Sequence, residues 1–203
     1  MHWDRLFEEL EGQLASEWEA ERAALDAESE RLRISRLELR ARLRVLCATG
    51  ADATLDLGDG QRLPVTLEAM GADWIAAISR VGTGPRLPRP TLIIPQHAIT
   101  GLTLDHGMIL SSLEQTDPQG HELRERMTLG FVMRDLARRR VPVHISTLVG
   151  EDVHGTIDRA AADHLDLALH DAGEARRAGA VQGFRLIPFT AVTAVRTPGS
   201  QMP

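Results

Sequence analysis

The sequence predicts an α+β fold: a long charged N-terminal helix, then two tandem copies of a unit made of a helix and a small five-stranded β-barrel. Three observations predict it. Residues 3–46 contain no Pro and only Gly12, and are dominated by Glu, Arg, Leu and Ala. After Thr49 the texture changes to short apolar alternations broken by Gly, Asp and Pro. The stretch 65–75 then returns as 155–165, about 90 positions later.

The first element reads as one helix over 3–46. At ~1.5 Å per residue it would reach on the order of 65 Å. Trp18, Leu25, Leu32, Leu39 and Leu46 recur at every seventh position, and Phe7 and Leu14 add a second register near the start. Phe7, Leu14, Trp18, Leu25 and Leu32 are therefore the candidate seam for a partner helix, as a coiled-coil or hairpin contact with another chain. The competing reading is a helix lying over its own barrels. Glu21 and Glu28 occupy seam positions that a strong dimeric coil fills with apolar residues. Acidic residues fill the helix as far as Glu30, and Arg31, Arg33, Arg36, Arg40, Arg42 and Arg44 follow, an order that complements the helix dipole. An Arg face for nucleic acid is the sharper reading of the same charges.

Five strands follow at 53–57, 63–68, 74–79, 92–94 and 98–104, with a Pro- and Gly-interrupted loop over 81–90. A polar linker over 111–120 leads to a second helix over 122–140, which ends in Arg138, Arg139 and Arg140 and is stopped by Pro142. The predicted boundaries are 1–48 for the charged helix, 49–110 for the first barrel and 111–120 for the linker. Residues 121–140 form the second helix, 141–197 the second barrel and 198–203 a tail.

The duplication rests on aligned residues. Thr66, Glu68 and Asp73 lie beside Thr156, Asp158 and Asp163. Further on, Ile94, Pro95, Ala98, Ile99 and Thr100 lie beside Ile187, Pro188, Ala191, Val192 and Thr193, the shift having grown by a loop insertion. The two prolines cannot donate to a ladder, so each belongs at a corner between the fourth and fifth strands.

The composition bounds the activity. Of 203 residues, 43% are hydrophobic and 26% charged, which suits a globular core. Aromatics are 3%, so base-stacking platforms are scarce. All basic side chains are Arg, and the net charge of -6 opposes non-specific attraction to phosphate backbones or anionic membrane. The acidic N-terminus does not read as a secretory signal, and no apolar run is long enough to span a bilayer, so a cytoplasmic protein without membrane contact is expected. The lone Cys47 reads as a buried thiol.

No phosphate loop, nucleophile elbow or HExxH occurs, so the reading is non-enzymatic, with no catalytic residue, cofactor or metal assigned. His144, His154 and His164 fall at even spacing on consecutive predicted strands, with Asp166 nearby, which is ligand chemistry for Zn²⁺ or Ni²⁺. The first copy has Thr54, Pro64 and Trp74 in their places, and exposed strand histidines are the plainer reading.

A helix followed by five short bent strands, with a very short turn before the last, resembles the Sm-like fold among the SH3-like small barrels. The stretch from Ile94 through Gln96, His97 and Ala98 to Thr100 is similar to the second signature of bacterial Sm-like RNA chaperones. The resemblance implies Gln96 and His97 as RNA contacts, and the Arg138, Arg139 and Arg140 run would add phosphate contacts. Two functions are therefore expected: a non-catalytic binding or scaffold protein acting through its helix and barrels, by a protein partner or by self-association, or an RNA-binding Sm-like regulator.

Overall fold

The computed structural model describes residues 2–81, 89–114, 123–173, 177 and 179–198. It divides into two units, residues 1–42 and 43–203. The first unit holds α1 (His2–Ser35) and the start of α2 (Leu39–Ala48). The long N-terminal helix is thus present, but it breaks after Ser35, short of the predicted end at residue 46. At the break the backbone tightens to i→i−3 bonds, Arg36 N–H to the Arg33 carbonyl and Leu37 N–H to that of Ile34. The Ser35 hydroxyl donates to the Leu32 carbonyl, 2.8 Å, a competing bond of the kind that bends helices.

The second unit is built on one sheet. Its strands are β1 (Asp52–Leu57), β2 (Arg62–Met70), β3 (Trp74–Ser79), β4 (Thr91–Pro95) and β5 (Ile99–Thr103), then β6 (Pro142–Thr147), β7 (Asp152–Ala160), β8 (His164–Leu169), β9 (Gly183–Pro188) and β10 (Val192–Thr197). Every pairing is antiparallel, and the spatial order is β5-β1-β2-β3-β4-β10-β6-β7-β8-β9. This corrects the expectation of two closed barrels and, with it, the Sm-like and SH3-like assignment. The sheet is open and continuous, because β4 joins β10 of the other half.

Burial explains why the halves fuse. Leu92, Ile93 and Ile94 form an uninterrupted apolar run, and a strand buried on both faces needs a neighbour on each edge. Ile93 lies in the core of the second half with Val192 and Val195, while Ala194 lies in the core of the first with Leu92 and Ile94. The joint is also polar: the Thr193 hydroxyl donates to the Asp59 carboxylate at 2.8 Å.

Strand order within the halves is the same, fifth-first-second-third-fourth in each. The second strands carry register shifts at equivalent places, between Leu67 and Ala69 and between Ile157 and Arg159. Single 3-10 turns, Gln96–Ala98 and Phe189–Ala191, follow Pro95 and Pro188 at the predicted corners.

Two helices complete the unit. α3 (His106–Ser111) is capped by Asp105, which accepts from Met108 N–H; it begins before the predicted linker, of which 115–120 lie outside the described residues, as do 82–88 of the predicted loop. The predicted helix over 122–140 starts outside the described residues and is split into a 3-10 turn, Leu123–Arg126, and α4 (Leu129–Arg139). Thr128 caps α4, and the Asp73 carboxylate accepts from Leu129 N–H at 2.6 Å, so a turn of the first half closes the N-terminus of a helix of the second. Leu129, Val132, Met133 and Leu136 are buried among β-strand side chains, and α4 lies against β7. The Trp74 indole N–H donates to the Met127 carbonyl, 2.9 Å.

Candidate functional sites

The first candidate is the seam of α1. Trp18 is 70% exposed, Leu25 66% and Leu32 50%, and Phe7 and Leu14 are exposed with them. These side chains form an exposed apolar line along the helix. Around the line the helix is polar, with ion pairs one turn apart, Arg31 to Glu28 and Arg33 to Glu30. The Glu30 carboxyl is held below its ordinary range by the hydrogen bond from Arg33.

The second candidate is a cleft of about 610 Å³ where β6, β7 and β10 meet the residue preceding β4, walled by Pro90, Pro142 and Pro198 and floored by His144, His154 and Arg196. His144 and His154 face one another across β6 and β7, their rings 4.4 Å apart. The third histidine of the predicted cluster is not there. β7 pairs with β8 so that Gly155 opposes Leu169, which carries His170 toward His154 and leaves His164 at the far end of β8 opposite Pro188. Asp166 lies beyond the bulge, opposite Arg159.

The His154 and His170 rings stand 4.9 Å apart. Their partners suit Nδ1-protonated tautomers. His154 Nδ1–H donates to the His170 carbonyl at 2.9 Å, and buried His170 donates through Nδ1 to the Asp171 carbonyl while Nε2 accepts from the Thr156 hydroxyl. These bonds commit the rings to packing and pairing. Among the described residues no group of three His, Cys, Asp or Glu is placed to hold a metal ion.

Desolvation lowers the His144 pKa below its ordinary value, aided by His154 and Arg196 and opposed by Asp152. Arg196 and Asp152 are themselves paired at 2.6 Å. A histidine harder to protonate folded than unfolded binds fewer protons in the native state, so it contributes stability above the unfolded pKa that is lost as pH falls below it. Urea unfolding is expected to show stability declining as pH drops below about 6.5, with a smaller slope in His144→Gln; equal slopes in both proteins would refute this.

The residues suggested for RNA are dispersed. Gln96 and His97 form the corner between β4 and β5; His97 is exposed, whereas the Gln96 Nε2 is buried, without a hydrogen-bond partner among the described residues. Arg138 and Arg139 both pair with Asp135, and Arg140 with Asp158 at 2.8 Å. The Asp135 carboxyl is accordingly depressed, chiefly by the Arg138 hydrogen bond. Cys47 is buried, its thiol donates to the Ala69 carbonyl, and burial pushes its pKa up to about 12. No described helix is long and apolar enough to cross a membrane.

Sequence reasoning missed His170 and Arg196. Strand pairing brings them there, His170 beside His154 and Arg196 opposite His144, and the spacing of residues along the sequence does not set that register. No protein-family model, curated protein or solved structure matches this chain.

Proposed function

We propose that the chain is a non-catalytic binding or scaffold protein, in which the sheet is the body and α1 captures an amphipathic, basic helix of another protein. One observation carries the reading: a helix of 34 residues displays Trp18, Leu25 and Leu32 on one line, each at least half exposed. Large apolar side chains arranged at helical spacing are the form in which a helix recognises a helix, and Trp is among the residues enriched as interface anchors.

Charge selects the partner. Glu21 and Glu28 sit in the line, and Glu17, Arg22 and Arg31 flank it, so the charge within the line itself is acidic. A second α1 laid alongside brings glutamates together, which costs energy, whereas Arg or Lys facing them gains it. The RNA-binding alternative has less support, because the guanidiniums it requires at Arg138, Arg139 and Arg140 are engaged by Asp135 and Asp158.

Two designed helical peptides with the same leucine seam, one carrying Arg and the other Glu beside it, test the reading. The intact protein is expected to bind the Arg peptide at least about tenfold more tightly, with the preference falling in high salt. Glu21→Arg combined with Glu28→Arg is expected to reverse it. Equal binding of both peptides, or binding unaffected by Trp18→Ala, would sink the proposal.

A further inference from the structure

We propose that the outer edge of β9 pairs with the outer edge of β5 in a second copy of this chain, repeating between molecules the joint that β4 and β10 make within one. Among the described residues β9 and β5 are the two ends of the sheet, each hydrogen-bonded to a single strand. They are also the equivalents, in the opposite halves, of the two strands at the internal joint: β9 is the fourth strand of its half as β4 is, and β5 the fifth of its half as β10 is.

The side chains match this equivalence. Matching Pro188 to Pro95 places Phe184 and Leu186 where Thr91 and Ile93 stand. Thr91 and Ile93 are covered at the internal joint, each about 1% exposed, whereas Phe184 is 66% and Leu186 61% exposed. On the other strand, matching Ile99 to Val192 places Leu102 where buried Val195 stands. An edge strand displaying two large apolar side chains is a liability unless something covers it. The polar groups tell the same story. Asp73 caps α4 across the internal joint, while the side chain of its equivalent, Asp163, is 87% exposed and bonded to His164.

The internal joint sets the register, since Ile93 opposes Val195 and Leu92 opposes Arg196. Between copies Leu186 therefore opposes Leu102, and Arg185 opposes Thr103. Because the contact joins two different edges, each copy keeps one edge free for the next, and the assembly grows until it closes or continues as a chain. This interface does not involve α1 and stands or falls apart from the function proposed above.

Sedimentation of the full chain over a concentration series tests the proposal. The mass is expected to rise above the 22.3 kDa of one chain, and Phe184→Glu with Leu186→Glu is expected to return it to one chain that melts as the parent does at high dilution, both positions being exposed. A short bis-maleimide is expected to link a Leu102→Cys protein to a Leu186→Cys protein only when the two are mixed. A wild-type mass of one chain throughout, or association that survives the β9 substitutions and disappears with Trp18→Glu, would overturn it. Cross-linking equally strong without mixing would overturn the register and the heterologous contact together.

Discussion

Trp74→Ala is expected to remove about 3–5 kcal/mol of unfolding free energy, among the largest losses from a single side chain in this protein. The indole is fully buried at the start of β3, in the cluster that contains Leu129, Val132 and Leu136, so its removal opens a cavity shared by both halves. It also removes one of two donors to the Met127 carbonyl, the Ala72 N–H remaining. Gly71 shows how closely the ring is held, since a Cβ there would lie 2.1 Å from the Trp74 Nε1. Trp74→Phe is expected to lose less, because most of the volume remains and only the hydrogen bond goes. Urea unfolding measures both; a loss below about 1 kcal/mol for the alanine variant would show that the packing is not as drawn.

Gly155→Val is the second large effect, and a naive reading of the duplication gets its sign wrong. The equivalent residue in the first half is Val65, buried without strain, so restoring the repeat looks harmless. A Cβ on Gly155, however, would lie 2.2 Å from the Ala168 carbonyl oxygen and 3.0 Å from the Leu167 side chain. The oxygen belongs to the backbone of β8 and cannot withdraw without disturbing the β7 and β8 pairing. A loss of at least about 1–3 kcal/mol is expected even for Gly155→Ala, with more for Val. Amide exchange is expected to quicken first in β7 and β8, and a variant as stable as the parent would refute the close approach.

Where the sequence carried the fold, it did so through burial patterns. Alternation in 53–57 and 63–68 places those residues inside β1 and β2, where one face is the more buried, while the apolar stretch 74–77 places β3, which is buried on both faces. The Pro95 and Pro188 corners followed from the missing amide hydrogen. What alternation cannot convey is the edge at which a strand is paired, and that decided the architecture. The continuous burial of Thr91–Pro95 held the clue, for a strand covered on both faces is seldom at the end of a sheet. The break after Ser35 was invisible because no Pro or Gly marks it. The exposed apolar line on α1 follows its sevenfold spacing, whereas the His144, His154 and His170 group depended on hairpin register, which an even spacing of ten residues does not set.

The position of β10 has a consequence for how the molecule is made. The last of the ten strands in chain order lies at the middle of the sheet, between β4 and β6, and contributes Ala194 to one core and Val195 to the other. Neither half can reach its final packing before β10 has been made. Until then the flank of β4 is uncovered, and folding ends in one late insertion that completes both halves together.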